Sequence, residues 1–139
     1  SHLNPVPGNW VFILKSTSLI VCLYGLGLIV LPGIFSSLFP WKLDVFHSQL
    51  YSATFITGGV MMFTISKHAT PAEFIATGLT EATFGVFAIL GLFIVDADVH
   101  KINWSASNTL FWLGSIAILA VLGIALVVAG ARQIPQKSN

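Results

Sequence analysis

Long apolar runs dominate this chain, and short polar stretches separate them. Four runs stand out, at residues of about 10–31, 45–66, 71–95 and 108–131. Each exceeds the roughly 20 residues that an α-helix needs to cross the hydrocarbon core of a bilayer. The runs are about twice as long as a strand of a membrane barrel, and they do not alternate between apolar and polar positions. The pattern therefore predicts an all-α membrane protein with four transmembrane helices.

Residues that start or end helices support these boundaries. Pro32 and Gly33 follow the first run, where they would end a helix. Before the third run, Thr70, Pro71 and Glu73 match a capping box, in which the threonine caps the helix and the glutamate reaches back to it. Proline is also favoured at the first position of a helix. The third helix is therefore predicted to start at Pro71.

Short connections join the four runs, which favours antiparallel packing of neighbouring helices. We therefore expect a single domain over residues 1–139, built as an antiparallel bundle of four transmembrane helices. Residues 1–9 and 132–139 are predicted to be polar tails.

The segment after the first helix, residues 33–41, is too short to cross a bilayer. We expect it to lie along the membrane interface, with Phe35, Leu38 and Phe39 dipping into the lipid. Tryptophan rings favour the same interface, because they combine an apolar body with a polar N–H group. All four tryptophans lie at or near predicted helix ends, which supports the placement of the helices: Trp10, Trp41, Trp104 and Trp112.

Composition agrees with a chain that is solvated mainly by lipid. Hydrophobic residues make up 55% of the chain and charged residues only 8%, whereas soluble domains carry roughly a quarter charged residues. The net charge of +1 gives no electrostatic argument for a nucleic-acid partner. Cys22 is the only cysteine, so no disulfide can form within the chain.

Basic residues indicate how the bundle is oriented. With four spans, both termini share one side of the membrane with the loop that follows the second helix. That side holds four Lys or Arg residues and the opposite side holds two: Lys15, Lys67, Arg132 and Lys137 against Lys42 and Lys101. Since cytoplasmic loops carry the excess of Lys and Arg, both termini are predicted to be cytoplasmic, or on the equivalent side of an organelle.

Glu81 lies inside the third apolar run. It would be about 10 Å deep if the hydrocarbon begins near Phe74, since a helix rises about 1.5 Å per residue. Small residues surround it on one helical face: Gly78, Ala82, Gly85 and Ala88. Such a stripe lets helices approach closely, so we expect Glu81 to face protein rather than lipid.

Lys15 is the expected partner of Glu81. The first and third helices start on the same side, and Lys15 lies about 7 Å inside the first helix by the same rise. We therefore predict a buried ion pair between Lys15 and Glu81, or a proton-handling site that contains both. Alternatively, Lys15 extends to the interface and Glu81 is protonated and hydrogen-bonded to a nearby Ser or Thr. Ionisable residues inside membrane helices are functional candidates by default, but a structural role is favoured for this pair.

The second helix carries the polar residues Gln49 and Ser52 near its start. Small residues recur there at a spacing of four, as in Ser48 and Ser52, which suits close packing with hydrogen bonds between helices. Packing is the simpler interpretation. The alternative is a polar cavity lined by Gln49 and Ser52.

Three polar residues occupy every second position in the segment between the third and fourth helices: Asp96, Asp98 and His100. In an extended loop their oxygen and nitrogen atoms could bind one metal ion. Such residues more often face water, so we predict no metal site and keep these three as weak candidates. His47 and His100 share a side of the membrane, which leaves haem or chlorophyll ligation open, and no specific cofactor is predicted.

No set of nucleophile, base and orienting residue is visible, so we expect a protein that is not an enzyme. We predict a non-catalytic accessory or structural subunit of a larger integral membrane complex, because the helices carry more small-residue faces than one bundle needs. Its partners would be the lipid bilayer and other membrane subunits, or a second copy of itself. The alternatives are a small proton-coupled transporter that uses Glu81, and a membrane module that binds a lipid, a quinone or a pigment.

Overall fold

A computed structural model describes residues 4–99 and 102–133 of the protein. Within these residues the chain forms five α-helices, which agrees with the predicted all-α class. They are α1 (Gly8–Val30), α2 (Pro32–Phe35), α3 (Val45–Thr64), α4 (Pro71–Val99) and α5 (Ser107–Arg132). A short 3₁₀ turn at Ser36–Leu38 follows α2.

Three helices are long and apolar enough to cross a membrane. They are Gly8–Val30 with 23 residues, Pro71–Ile94 with 24 and Ser107–Arg132 with 26. These helices are compatible with a multi-pass membrane protein. Helix α3 has 20 residues, but the polar side chains of His47, Gln49 and Ser52 make its first half less apolar. The fourth span therefore stays a prediction.

The helix starts follow local signals in the sequence. α4 begins at Pro71 as predicted, and the capping box forms. The backbone N–H of Glu73 donates to Thr70 Oγ1 at 3.2 Å, and that of Thr70 donates to Glu73 Oε1 at 3.1 Å. α3 has a cap that sequence analysis missed, because Asp44 accepts from the backbone N–H of His47 at 2.7 Å. This bond, together with one to the His47 ring, holds the pKa of the exposed Asp44 carboxyl below its usual value.

Helix α4 continues beyond its predicted end at Val95, to Val99. Asp96 does not end the helix, because its carboxylate finds partners in the loop that follows. It accepts from the backbone N–H of Ile102 at 3.2 Å and from Nε1 of Trp104 at 2.7 Å. Asp96 thereby attaches this loop to the end of α4.

Helices α1 and α3 form one closely packed pair. A Cβ atom on Gly25 would lie 3.1 Å from the carbonyl oxygen of Ser52, and one on Gly59 would lie 3.2 Å from the carbonyl oxygen of Ser18. A side chain at either position would require the neighbouring helix to shift by a few tenths of an ångström. Small residues are what lets membrane helices approach at backbone distance.

Helices α4 and α5 form a second closely packed pair. A Cβ atom on Gly123 would lie 2.5 Å from the backbone nitrogen of Ala82 and 2.6 Å from the carbonyl oxygen of Gly78. A Cβ atom on Gly85 would lie 2.7 Å from the Cβ of Ala120. The small-residue stripe predicted on α4 therefore packs against α5.

The two helix pairs meet more loosely, because α3 and α4 approach each other far less closely than the helices within each pair. Phe55 of α3 is buried between the pairs. The centroid of its ring lies 5.3 Å from that of Tyr24 in α1 and 6.0 Å from that of Phe84 in α4. Aromatic side chains rather than backbones meet in this seam, which leaves space between the pairs.

The segment between α1 and α3 folds back onto the bundle. Phe39 is only 3% exposed, and the centroid of its ring lies 5.2 Å from that of Tyr51 and 6.3 Å from that of Trp112. The prediction that Phe39 dips into lipid is therefore wrong, because the ring has aromatic partners inside the bundle. Asn108 of α5 helps to hold the segment there, since its Nδ2 donates to the carbonyl oxygen of Phe39 at 3.2 Å.

Two very short strands connect the N-terminal segment to the loop between α3 and α4. β1 (Asn4–Pro5) pairs antiparallel with β2 (His68–Ala69), and the N–H of Val6 donates to the carbonyl oxygen of Lys67 at 2.9 Å. The N-terminal segment and this loop therefore lie at the same end of the helices.

Replacing Gly123 by alanine should destabilise the α4–α5 pair, because backbone atoms of α4 would have to move to admit the methyl group. We expect a loss of about 1–3 kcal/mol in the free energy of unfolding. Gly114→Ala on the same helix is the control, since a Cβ atom there has nothing within 4 Å. Thermal unfolding in detergent, followed by circular dichroism, compares the two. A Tm for Gly123→Ala equal to or above that of the control would contradict the packing.

Candidate functional site

Cavities lie in the seam between the two helix pairs. One, of about 600 Å³, lies between α3, α4 and α5 and is named the aromatic cavity. A second, of about 350 Å³, has Glu81 in its wall and is named the Glu81 cavity. A third, of about 360 Å³, is lined mainly by residues of α1 and α5. The first two lie on the α3–α4 side of the seam.

Aromatic side chains form most of the wall of the aromatic cavity. Tyr51 comes from α3, Phe84 and Phe87 from α4, and Trp112 from α5. Gly91 of α4 also lines the cavity, and a Cβ atom at this position would meet no atom within 4 Å. The cavity can therefore hold a flat apolar group, and it has room at Gly91 that a side chain could fill.

Two loops close one end of the aromatic cavity. Trp41, from the segment before α3, has its ring centroid 5.4 Å from that of Trp112. Ile102, from the loop before α5, is buried in the wall. The hydrogen bonds from Ile102 and Trp104 to Asp96 hold the second loop in place. The cavity therefore depends on loop structure as well as on the helices.

Trp112 lines both the aromatic cavity and the third cavity. Its side chain is 7% exposed, so the ring packs within the protein. Within the described residues, its Nε1 atom is buried and has no hydrogen-bond partner, whereas that of Trp104 donates to Asp96. An unsatisfied buried N–H costs about 1–3 kcal/mol.

Glu81 is buried, with 6% of the residue exposed, as the small residues around it predict. Its Oε1 atom faces Gly58 of α3, where an added Cβ would lie only 2.7 Å away. Thr54, Thr57 and Thr80 line the Glu81 cavity beside it. In the part of the chain that the structure describes, the carboxylate makes no salt bridge, and the nearby Thr80 hydroxyl donates elsewhere. Glu81 therefore borders a cavity rather than a partner side chain.

The aromatic cavity and the Glu81 cavity are neighbours along one cleft. Phe55 of α3 and Phe84 of α4 line both of them. The two rings meet edge to face, with centroids 6.0 Å apart. A molecule that displaced this contact would reach from one cavity into the other.

Among the described residues, no salt bridge joins Lys15 to Glu81. Lys15 is half-buried, and its carbonyl oxygen accepts from the Ser18 hydroxyl at 2.9 Å. The reason for the separation is geometric. Glu81 lies opposite Gly58 of α3, and the next residue, Gly59, packs on Ser18 of α1, which is almost one helical turn beyond Lys15.

Gln49 and Ser52 are not brought together around any of the three cavities described above. The Gln49 side chain is exposed, whereas Ser52 is buried and its hydroxyl donates to the carbonyl oxygen of Gln49 within α3. Neither residue lines the cavities of the seam, while the neighbouring Tyr51 and Phe55 do. The predicted region of α3 thus borders a cavity, but through its aromatic side chains.

The structure describes only some of the residues that were weak candidates for a metal site. Asp96 is engaged by the loop that follows α4, and the side chain of Asp98 and all of His100 lie outside the described residues. Where side chains are described, no group of three His, Cys, Asp or Glu residues is placed to hold a metal ion. Nδ1 of His47 is bonded to Asp44 at 2.7 Å on an exposed surface. Ligation of a pigment by His47 and His100 stays untested.

No family model, no curated protein and no solved structure matches the chain. The site is therefore argued from its own geometry. That geometry consists of two neighbouring cavities, the unpaired donor of Trp112 and the buried carboxylate of Glu81.

Sequence analysis missed the aromatic cavity, although part of its pattern is visible. Tyr51 and Phe55 are four residues apart in α3, and Phe84 and Phe87 are three apart in α4. Residues at these spacings share a helical face, so each helix has an aromatic face. Nothing in the local sequence places Phe39 against these faces, because that contact depends on how the loop folds back.

A membrane-soluble carbodiimide should modify Glu81, because its carboxyl group borders a cavity and makes no salt bridge. Glu73 is the internal control and should react more slowly, since the capping box engages its carboxylate. The protein in lipid nanodiscs is incubated with dicyclohexylcarbodiimide, and mass spectrometry quantifies both sites. Faster modification of Glu73 than of Glu81 would contradict the described environment of Glu81.

Proposed function

We propose that the protein is a non-catalytic integral membrane protein that binds a small, ring-bearing apolar molecule from the bilayer. The observation that carries this proposal is the aromatic cavity itself, whose wall is formed mainly by aromatic side chains. Of the functions considered from the sequence, this is closest to the module that binds a lipid, a quinone or a pigment.

The size and lining of the aromatic cavity support a small-molecule ligand. Its volume of about 600 Å³ falls within the roughly 300–1,000 Å³ of typical ligand sites, which are mostly apolar with a few placed polar groups. Flat aromatic walls favour a ring, because rings gain from stacked and edge-to-face contacts.

The hypothesis of an accessory subunit depended on a surplus of small-residue faces. Within the described residues, many of these faces are occupied by the chain's own helices, at Gly25, Gly59, Gly78, Gly85 and Gly123. The accessory subunit therefore loses its main argument and stays a prediction.

We propose further that α1, α3, α4 and α5 all cross the membrane as an antiparallel bundle. The 20 residues of α3 span about 30 Å, which is the thickness of the hydrocarbon core. Gly25 of α1 lies beside Ser52 of α3, while Ser18 lies beside Gly59. This order of contacts is the one expected of helices that run in opposite directions. The strand pair β1–β2 supports a common side for the N-terminus and the α3–α4 loop.

Cysteine labelling tests the topology. In a Cys22→Ser background, Gly8→Cys and Lys67→Cys should be labelled from one side of the membrane by an impermeant maleimide. Lys42→Cys and Asn103→Cys should be labelled only from the other side. Labelling of intact cells measures accessibility from the outer side of the membrane, and labelling of inverted vesicles measures accessibility from the inner side. Labelling of Lys42→Cys from the same side as Lys67→Cys would show that α3 does not span.

Filling the aromatic cavity should weaken ligand binding. Gly91→Leu puts a large side chain into the cavity, and we expect the affinity to fall by about tenfold or more through steric exclusion. Gly114→Leu adds the same side chain to α5 at a position that does not line the cavity and has nothing within 4 Å. Isothermal titration of an alkyl naphthoquinone into protein in nanodiscs, corrected with empty nanodiscs, measures both. Equal affinities for Gly91→Leu and Gly114→Leu, or no binding by the wild type, would refute the aromatic cavity as the ligand site.

A further inference from the structure

The Glu81 carboxylate is buried in a helix that is long and apolar enough to span a membrane, with 6% of the residue exposed. A charged group in apolar surroundings is very costly unless it is paired. No Lys, Arg or His among residues 4–99 and 102–133 lies within salt-bridge distance of it. The carboxylate is therefore either neutral or met by a positive charge from outside the described chain.

If Glu81 were only neutralised by protonation, no cavity beside its carboxyl group would be needed. The Glu81 cavity measures about 350 Å³, whereas a water molecule occupies about 30 Å³ of liquid. Thr54, Thr57 and Thr80 line it beside the carboxylate. The Thr80 hydroxyl already donates to the carbonyl oxygen of Ala76 at 2.9 Å, so it has only acceptor lone pairs left. A carboxylate is a strong hydrogen-bond partner for the N–H groups of an ammonium.

The rest of the lining indicates an organic cation rather than a metal ion. Apolar side chains such as Val21, Met61 and Leu119 complete the wall. Hard cations such as Ca²⁺ take about six to eight oxygen ligands, and the described residues place no group of three acidic, His or Cys side chains together. One carboxylate in an apolar cavity matches one positive charge attached to an apolar molecule.

We propose that the ligand is a ring-bearing organic cation, with its ring in the aromatic cavity and its protonated amine against Glu81. This inference rests on the proposed binding function and specifies the charge of the ligand. The cavities adjoin at Phe55 and Phe84, so one molecule can occupy both. These two rings stand where the charged group joins the apolar part, and aromatic faces attract ammonium groups.

Gly58 is the residue that admits the carboxylate to this position. An added Cβ would lie 2.7 Å from Oε1 of Glu81, so Gly58→Ala must displace the carboxyl group without removing its charge. Glu81→Gln removes the charge and keeps the shape. The two variants therefore separate the position of the carboxylate from its charge.

The test compares naphthylethylamine, which is protonated at neutral pH, with naphthylethanol, which is neutral and nearly the same shape. Both are titrated calorimetrically into protein in nanodiscs of uncharged lipid, and empty nanodiscs correct for partitioning. Wild type should bind the amine about tenfold or more tightly than the alcohol, as expected for a charge-assisted hydrogen bond. Glu81→Gln should abolish this preference, and circular dichroism in detergent shows whether the variant is folded.

Two further variants sharpen the result. Gly58→Ala should reduce the preference for the amine, because the carboxylate is displaced. Glu73→Gln should keep the full preference, because it removes an acid of α4 that does not line the Glu81 cavity.

Two outcomes overturn the inference while the proposed function stands. One is equal binding of amine and alcohol by wild type, with both abolished by Gly91→Leu. The other is a preference for the amine that persists in Glu81→Gln. If neither compound binds to wild type, the proposed function is itself wrong.

Discussion

Close approach of helix backbones at glycine is the constraint on which the rest of this structure depends. Gly25 and Gly59 in one pair, and Gly78 and Gly123 in the other, leave no room for a Cβ atom. Between membrane helices, van der Waals packing of this kind takes over the role that hydrophobic burial has in water. Because the small residues are used within the pairs, bulky rings such as Phe55 are left to meet between them. The cavities of the seam form because small residues pack within each pair, whereas bulky rings meet between the pairs.

The loose packing between the two helix pairs also explains why polar groups in the seam lack partners in the part of the chain that the structure describes. A buried donor or acid without a partner is costly in any protein interior. Within the described residues, Trp112 has an unpaired buried donor and Glu81 an acid without a salt bridge, and both side chains line cavities of the seam. The walls of these cavities combine apolar side chains with a few polar ones, which is the usual composition of a small-molecule site.

Features with local signals could be predicted from the sequence, and features that depend on which helix face meets which could not. The apolar runs and the capping box of Thr70 and Glu73 are local, and they place the helices well. Hydropathy did not distinguish the buried Phe39 from a lipid-facing ring, because lipid and protein interior are similarly apolar. The pairing of Lys15 with Glu81 was inferred from depth alone. Depth does not specify direction around the helix axis, and Glu81 faces Gly58 instead.

The way into the site follows from where the packing is weakest. Helices α3 and α4 meet less closely than the helices within either pair, and Thr54 and Thr57, which line the Glu81 cavity, are exposed. With α3 spanning the bilayer as proposed, this exposed side of the cleft faces lipid rather than water. An amphiphile that dissolves in the membrane would therefore be concentrated at the opening, with its rings and its charge in one molecule. For the proposed ligand, Phe55 and Glu81 along the cleft supply an aromatic wall and a counter-charge in turn.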